Sequence, residues 1–238
     1  MNQTLDIQEF SIVLVARNHN PTLVTPDFLR GSGVIPEDWE LARPPALSTQ
    51  TTQIIFKNGI KIEAQAGTIS FSQAINPQSL NTIELPSLAR RYSMTLPNLA
   101  YQGVGINPRR FVTFRDGADQ AHQYITETIL ARGSWQHFGI APIQAGINLV
   151  YTLERCQLRL AINEARLQMP DAEAIPAVLF VGNFNYRVIG EAADERLKFL
   201  HQAIDNWQVD LETYRELIEH KFLVRAKSED IVSIRDAS

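Results

Sequence analysis

Three short runs between residues 54 and 71 alternate apolar and polar side chains, and the turns between them decide how the runs pair. Successive side chains on a strand point to opposite faces, so a one-residue slip moves the whole apolar set from core to solvent. Asn58-Gly59 on its own suggests a two-residue hairpin loop. That loop would set Phe56 against Lys61 and Ile54 against Glu63, mixing apolar and charged side chains on one face. A three-residue loop, Lys57-Asn58-Gly59, sets Phe56 against Ile60 and Ile54 against Ile62, with Gly59 in the left-handed conformation of a bulge. This register is the one expected. The next turn, Ala66-Gly67, then brings Ile69 opposite Ala64 and Phe71 opposite Ile62. The segment 48–73 reads as a three-stranded meander with one buried and one wet face.

The remaining chain repeats this grammar. Residues 12–16 are continuously apolar and read as a strand buried on both faces. Thr25 and Pro26 open a short helix as N-cap and first helical residue, and Gly31 with Gly33 closes it. A second helix spans 85–96, with Leu88 and Tyr92 inward. A strand region from 101 to 114 is interrupted by Gly103, Gly105 and Pro108, where a bulge or bend is expected. Ala121, Ile125 and Ile129 follow a helical period up to Gly133. Then Ile147, Leu149, Tyr151 and Leu153 alternate, as do Cys156, Leu158, Leu160 and Ile162, with a parity slip between Ile162 and Leu167 that predicts a bulge. A long strand covers 178–189. Two helices follow, one with the stripe Leu197, Leu200, Ile204 and Trp207, the other N-capped by Asp210.

Composition sets bounds on function. With 238 residues, 45% apolar and 20% charged, the chain has the makings of a sizeable core without disulfides. A net charge of −4 gives no general attraction to a phosphate backbone. The single cysteine, Cys156, excludes an internal disulfide and a cysteine-cluster metal site. The amino terminus lacks the basic and apolar regions of a signal peptide, and no apolar run approaches bilayer-spanning length, so the expected location is cytoplasmic.

No local motif carries chemistry. Gly103-Val104-Gly105 lacks the third glycine and the following helix of a dinucleotide loop. The five histidines form no HExxH pattern; His201 and His220 sit beside apolar helical stripes, and His122 follows Asp119 by three. Cys156 alternates with Leu158 as a small strand hydrophobe. Two clusters remain. Arg17-Asn18-His19-Asn20-Pro21 lies at the carboxyl end of the first strand, where either a ligand loop or ordinary turn residues fit. Arg90, Arg91, Arg109, Arg110 and Arg115 converge on a phosphate or carboxylate if helix and strand are neighbours; otherwise they are solvated or paired with residues such as Glu84 and Asp116.

The stretches RNHNPTLVTPDFLRGSGVIPEDWELA (17–42), LPNLAYQGVGINPRRFV (96–112) and FNYRV (184–188) resemble those of a family of conserved hypothetical proteins found in cyanobacteria. The layout also resembles a wider, sporadically distributed hypothetical family. There a tyrosine-bearing helix, here with Tyr92, precedes an Asn-containing strand, here Ile106-Asn107-Pro108, and a later helix carries Leu200-His201. The resemblance implies no activity.

The expectation is an α+β fold: antiparallel β-meanders packed on helices, as two structurally related halves in one unit. The halves are 1–115 and 116–226, with a frayed tail at 227–238. The leading functional reading is a non-enzymatic interaction or assembly protein, homo-oligomeric, because a meander has edges that something must cover. One alternative is a small anionic-ligand-binding protein using Arg17, Asn18, His19, Asn20, Arg90, Arg91, Asn107, Arg109 and Arg110. Another is an enzyme without a recognisable motif. No catalytic residue, metal ligand or cofactor is assigned, and neither nucleic acid nor membrane is expected as a partner.

Overall fold

The structure, a computed structural model, describes residues 9–75, 83–114, 119–168, 174–225 and 231–232. The meander adopts the expected register. β3 (Thr51–Ile55) pairs with β4 (Ile60–Gln65) with Ile54 opposite Ile62, and Phe56 N–H donates to the Ile60 carbonyl across the three-residue loop. β5 (Thr68–Ala74) follows, with Ala64 opposite Ile69 and Ile62 opposite Phe71. Gly59 and Gly67 take φ of 83° and 82°, the left-handed region that both turns require.

β5 pairs in turn with β1 (Glu9–Arg17), and β1 with β6 (Ala100–Phe114). Beyond β6 the order is β9 (Ile175–Arg187), β8 (Gln157–Leu167) and β7 (Gly146–Thr152). At the other end β2 (Ala46–Leu47) pairs with β3. β10 (Ile231–Val232) pairs with β6 at Phe114 and Thr113, so part of the segment expected to fray is a strand; residues 226–230 and 233–238 lie outside the described residues. All pairs are antiparallel. One row of side chains runs through the sheet: Ile54, Ile62, Phe71, Ile12, Ile106, Phe184, Leu158 and Tyr151.

This row faces a layer of helices. α2 (Leu85–Thr95) lies over β5 and β1, and its Tyr92 meets Phe71 edge-on, ring centroids 5.7 Å apart. α4 (Ala193–Asp205) lies over β6 and against α2, and α5 (Trp207–Leu217) continues after Asn206. α1 (Pro26–Gly31) is capped by Thr25, whose Oγ accepts from Phe28 N–H, with Pro26 in its first turn as expected. Full burial of a Phe such as Phe71 or Phe184 is worth roughly 1.5–3 kcal/mol, so burial along this interface outweighs the surface ion pairs.

Several details differ from expectation. β1 is buried on one face only: Ile12, Leu14 and Ala16 are buried, whereas Ser11, Val13 and Val15 on the opposite face are half-exposed. β6 is continuous; the expected bulge occurs beside Gly103, with Gln102 as the extra residue opposite the Val15–Ala16 step, whereas Gly105 and Pro108 stay in register. β8 holds constant register through Leu167. Its apparent parity slip arises because Glu164 and Arg166, though on the helix side, are exposed there. α3 (Gln120–Gln123) passes into a wider π turn at Tyr124–Ile129 and stops before Gly133. Asp210 is not an N-cap: it lies inside α5, fully buried, its carboxylate held by Tyr186 of β9 and Arg155 of the β7–β8 turn.

Gly182 on β9 lies where Tyr214 of α5 rests on the sheet. A Cβ there would come 2.8 Å from the Tyr214 ring and 3.1 Å from Pro108. Tyr214 is fully buried and its hydroxyl donates to the Phe180 carbonyl at 3.0 Å, so the ring has no room to yield. Gly182→Ala is expected to lower stability by about 1–3 kcal/mol through overpacking, read as a reduced urea midpoint. An unchanged midpoint would show that Tyr214 does not hold α5 to the sheet.

Candidate functional site

The polar loop after β1 is mainly structural. Arg17 is exposed at the strand end, and Asn18 is the one non-glycine among the described residues with positive φ, 62°. Asn20 caps a 3₁₀ turn at Pro21–Leu23, accepting from the Thr22 N–H and hydroxyl. His19 turns inward. Its Nδ1 lies 3.1 Å from the Gln65 carbonyl and its Nε2 2.6 Å from the Tyr92 hydroxyl. A carbonyl only accepts, so Nδ1 carries the proton and Nε2 accepts from Tyr92. Burial lowers the His19 pKa and raises that of Tyr92, keeping both groups neutral.

The arginines are not brought together. Arg90 binds Asp205 of α4 through two hydrogen bonds, 2.7 and 2.6 Å. Arg109 and Arg110, neighbours on a strand, point to opposite faces: Arg109 pairs with Glu9 at 3.2 Å on the open face, Arg110 with Glu219 at 3.0 Å beneath the helices. Arg91 is half-buried on α2. Asn107 accepts from the Asn183 side chain and donates weakly to Ser11 Oγ. Arg115 and Asp116 lie outside the described residues.

Two networks had no signal in local sequence. Fully buried Asp210 accepts from Tyr186 (3.0 and 2.8 Å) and from Arg155 Nε (2.8 Å), and Arg155 also donates to Thr213 Oγ1 at 3.0 Å. Burial raises the Asp210 pKa against the opposing pull of these bonds, and raises those of Tyr186 and Cys156. Ser93 and His201 join α2 to α4, with Oγ and Nε2 2.9 Å apart. Ser93 is fully buried and donates its one proton to the Arg90 carbonyl at 2.8 Å, so His201 donates to Ser93. That polarity is the reverse of an activated nucleophile. The adjoining open groove, about 420 Å³, is lined by Arg90, Leu197, Lys198, His201 and Asp205. Among the described residues no group of three His, Cys, Asp or Glu side chains is placed to hold a metal ion, and no helix is long and apolar enough to cross a membrane.

The sheet edges are a different matter. Bonding direction alternates along an antiparallel strand, so each edge strand turns half of its N–H and C=O groups outward. On β3 the outward residues are Thr51, Gln53 and Ile55. Residues 41–48 cover them: Ala42 N–H donates to the Ile55 carbonyl and Ser48 N–H to the Thr51 carbonyl, both at 2.9 Å, and Ala46 faces Gln53. Pro44 and Pro45 lie within this cover, just before β2, and supply no outward N–H of their own.

β7 forms the other edge. Leu153 N–H donates to the Cys156 carbonyl at 2.9 Å, which assigns Ile147, Leu149 and Tyr151 to the ladder with β8. Gly146, Asn148, Val150 and Thr152 therefore point their backbone groups outward, and no described residue pairs with them. The strand carries no charge and no proline. Val150 is 61% exposed. The loop entering β7 presents Trp135, Phe138 and Ile140, the last two 89% and 109% exposed, while Gln136 anchors its base by donating to the Thr126 carbonyl at 2.7 Å. Neither a protein-family model nor a curated protein matches the chain.

The His19 geometry carries a pH dependence. With its folded-state pKa held below the ordinary 6.5, the unfolded chain takes the proton first as pH falls. Stability from neutral His19 is full above that value and is lost as pH drops through the folded-state pKa. The urea midpoint should fall between about pH 7 and pH 5, and fall less in His19→Gln, with His201, also lowered by burial, accounting for the remainder. Equal falls in the two proteins would show that His19 does not titrate in this range.

Proposed function

We propose that this protein is a non-enzymatic interaction or assembly protein whose joining surface is the outer edge of β7 together with the apolar loop before it. The observation that carries this reading is the contrast between the two ends of the sheet. One is sealed by residues 41–48; the other is a strand of seven uncharged residues, four of them with outward backbone groups, and exposed apolar side chains beside it. An edge of this kind is a template for strand addition, and monomers ordinarily blunt it with charge, proline or a covering segment. The titratable clusters point elsewhere: His19, Ser93, His201 and Asp210 each spend their hydrogen bonds inside the protein, and Arg90, Arg109 and Arg110 are each tied to a carboxylate.

The reading includes two structurally related halves. The order β1-α1-β3-β4-β5-α2 recurs as β6-α3-β7-β8-β9-α4, which moves the boundary from 115/116 to between α2 and β6, and the side-chain row is arranged alike on either side of Ile12 and Ile106. In that correspondence β7 matches β3, and β2 has no described counterpart beside it.

A photo-crosslinking residue placed at position 150 tests the edge in cells. A discrete adduct is expected there and none at Met94, an exposed apolar position on α2. Absence of any adduct at 150 would remove the reading.

A further inference from the structure

We infer that the occupant of the β7 edge is a second copy of this chain, paired antiparallel about a two-fold axis at Leu149. The inference rests on the reading of β7 as the joining edge and goes beyond it by naming partner, direction and register.

Three features of the strand carry it. First, its outward groups are at Gly146, Asn148, Val150 and Thr152. An antiparallel mate bonds to them only where outward residues face outward residues, which two copies of one strand satisfy in alternate registers. Among these, the register centred on Leu149 sets Asn148 against Val150 of the second copy and Gly146 against Thr152, leaving no outward group between 146 and 152 unmatched. About eight backbone hydrogen bonds result.

Second, that register aligns side chains of like character. Ile147, Leu149 and Tyr151 share the helix-side face and are only half-buried. Pairing sets Leu149 against its own copy and Ile147 against Tyr151, giving apolar cross-strand contacts along that face. With no charge on β7, nothing repels its copy.

Third, the alternative of open growth is blocked. A head-to-tail filament would need the β7 edge to pair with the other end of the sheet, where the outward groups of Ile55 and Thr51 are already bonded to Ala42 and Ser48 and the outermost strand, β2, offers only two residues. Self-pairing of β7 closes after two copies. A seven-residue strand pair alone buries little against the roughly 1,200 Å² of a stable interface. The loop with Trp135, Phe138 and Ile140 joins β7 at its Gly146 end, and an antiparallel mate brings its Thr152 end alongside, so the exposed apolar side chains add to the joint.

The test uses the full chain in sedimentation equilibrium at micromolar concentration. The native protein should be a dimer. Val150→Pro removes an N–H that faces outward, not one of the β8 ladder, so it should keep the native far-UV circular dichroism while weakening dimerisation at least about tenfold. Val150→Lys, which leaves the backbone intact, should do the same and guards against a folding defect in the proline variant. In a Cys156→Ala background, Leu149→Cys should oxidise to a disulfide-linked dimer, because only this register sets position 149 against itself at the short separation of a non-hydrogen-bonded pair. A monomeric native chain overturns the inference, as does a dimer indifferent to both Val150 variants. A sensitive dimer that fails to cross-link at 149 overturns the register. A monomeric chain that still forms an adduct at position 150 in cells removes the second copy but leaves the edge as a joining surface; no adduct and no dimer removes both.

Discussion

The antiparallel pairing of β1 with β6 holds this molecule together. Ile12 faces Ile106 at its centre, and from that pair one row of side chains runs outward through Phe71 to Ile54 and through Phe184 to Tyr151. Without it the chain would be two small sheets, each with its own unsatisfied inner edge and half a helical layer. With it, α2 and α4 lie side by side over the junction, and their polar ties, Ser93 to His201 and Arg90 to Asp205, are made. The exposed Arg90–Asp205 pair adds little free energy by itself. Apolar burial drives the arrangement, and the buried hydrogen bonds select which helix faces meet.

With β1 and β6 paired at the middle of the sheet, the meander strands β3 and β7 lie toward its periphery. A two-ended sheet has two edges to manage, and this chain manages them unequally. At β3 the connection after α1 returns along the edge and occupies its outward groups. At β7 the preceding connection is a loop whose apolar side chains Trp135, Phe138 and Ile140 are exposed. The residues with acid–base potential are meanwhile buried in pairings that neutralise them or fix their protons, with His19 and Tyr92 the clearest case. The outward backbone groups of β7, by contrast, have no partner among the described residues.

Much of the local structure was legible because few solutions exist. Only one loop length at Gly59 keeps Ile54, Phe56, Ile60 and Ile62 on one face, and Thr25-Pro26 has few uses other than a helix start. Strand order was not legible. Nothing local in residues 9–17 says that their neighbours are 68–74 on one side and 100–109 on the other. The His19–Tyr92 contact spans 73 positions and depends on that order. For the arginines, strand alternation alone separates Arg109 from Arg110, a constraint present in the sequence. Asp210 looked like a cap because Asp caps helices well; its role inside α5 depends on Arg155 and Tyr186, which only the tertiary fold brings near. The alternation of Ile147, Leu149 and Tyr151 was plain, but whether a strand lies at an edge is a property of the whole sheet.

Whether the outward groups of β7 find a partner is read directly by site-resolved amide hydrogen exchange on the native chain. Leu149 N–H lies in the ladder with β8 and should be protected at every concentration. The N–H groups of Asn148, Val150 and Thr152 should be as protected as Leu149 in concentrated solution and lose that protection on dilution. Free exchange of these three amides at all concentrations, with Leu149 still protected, would contradict pairing at this edge.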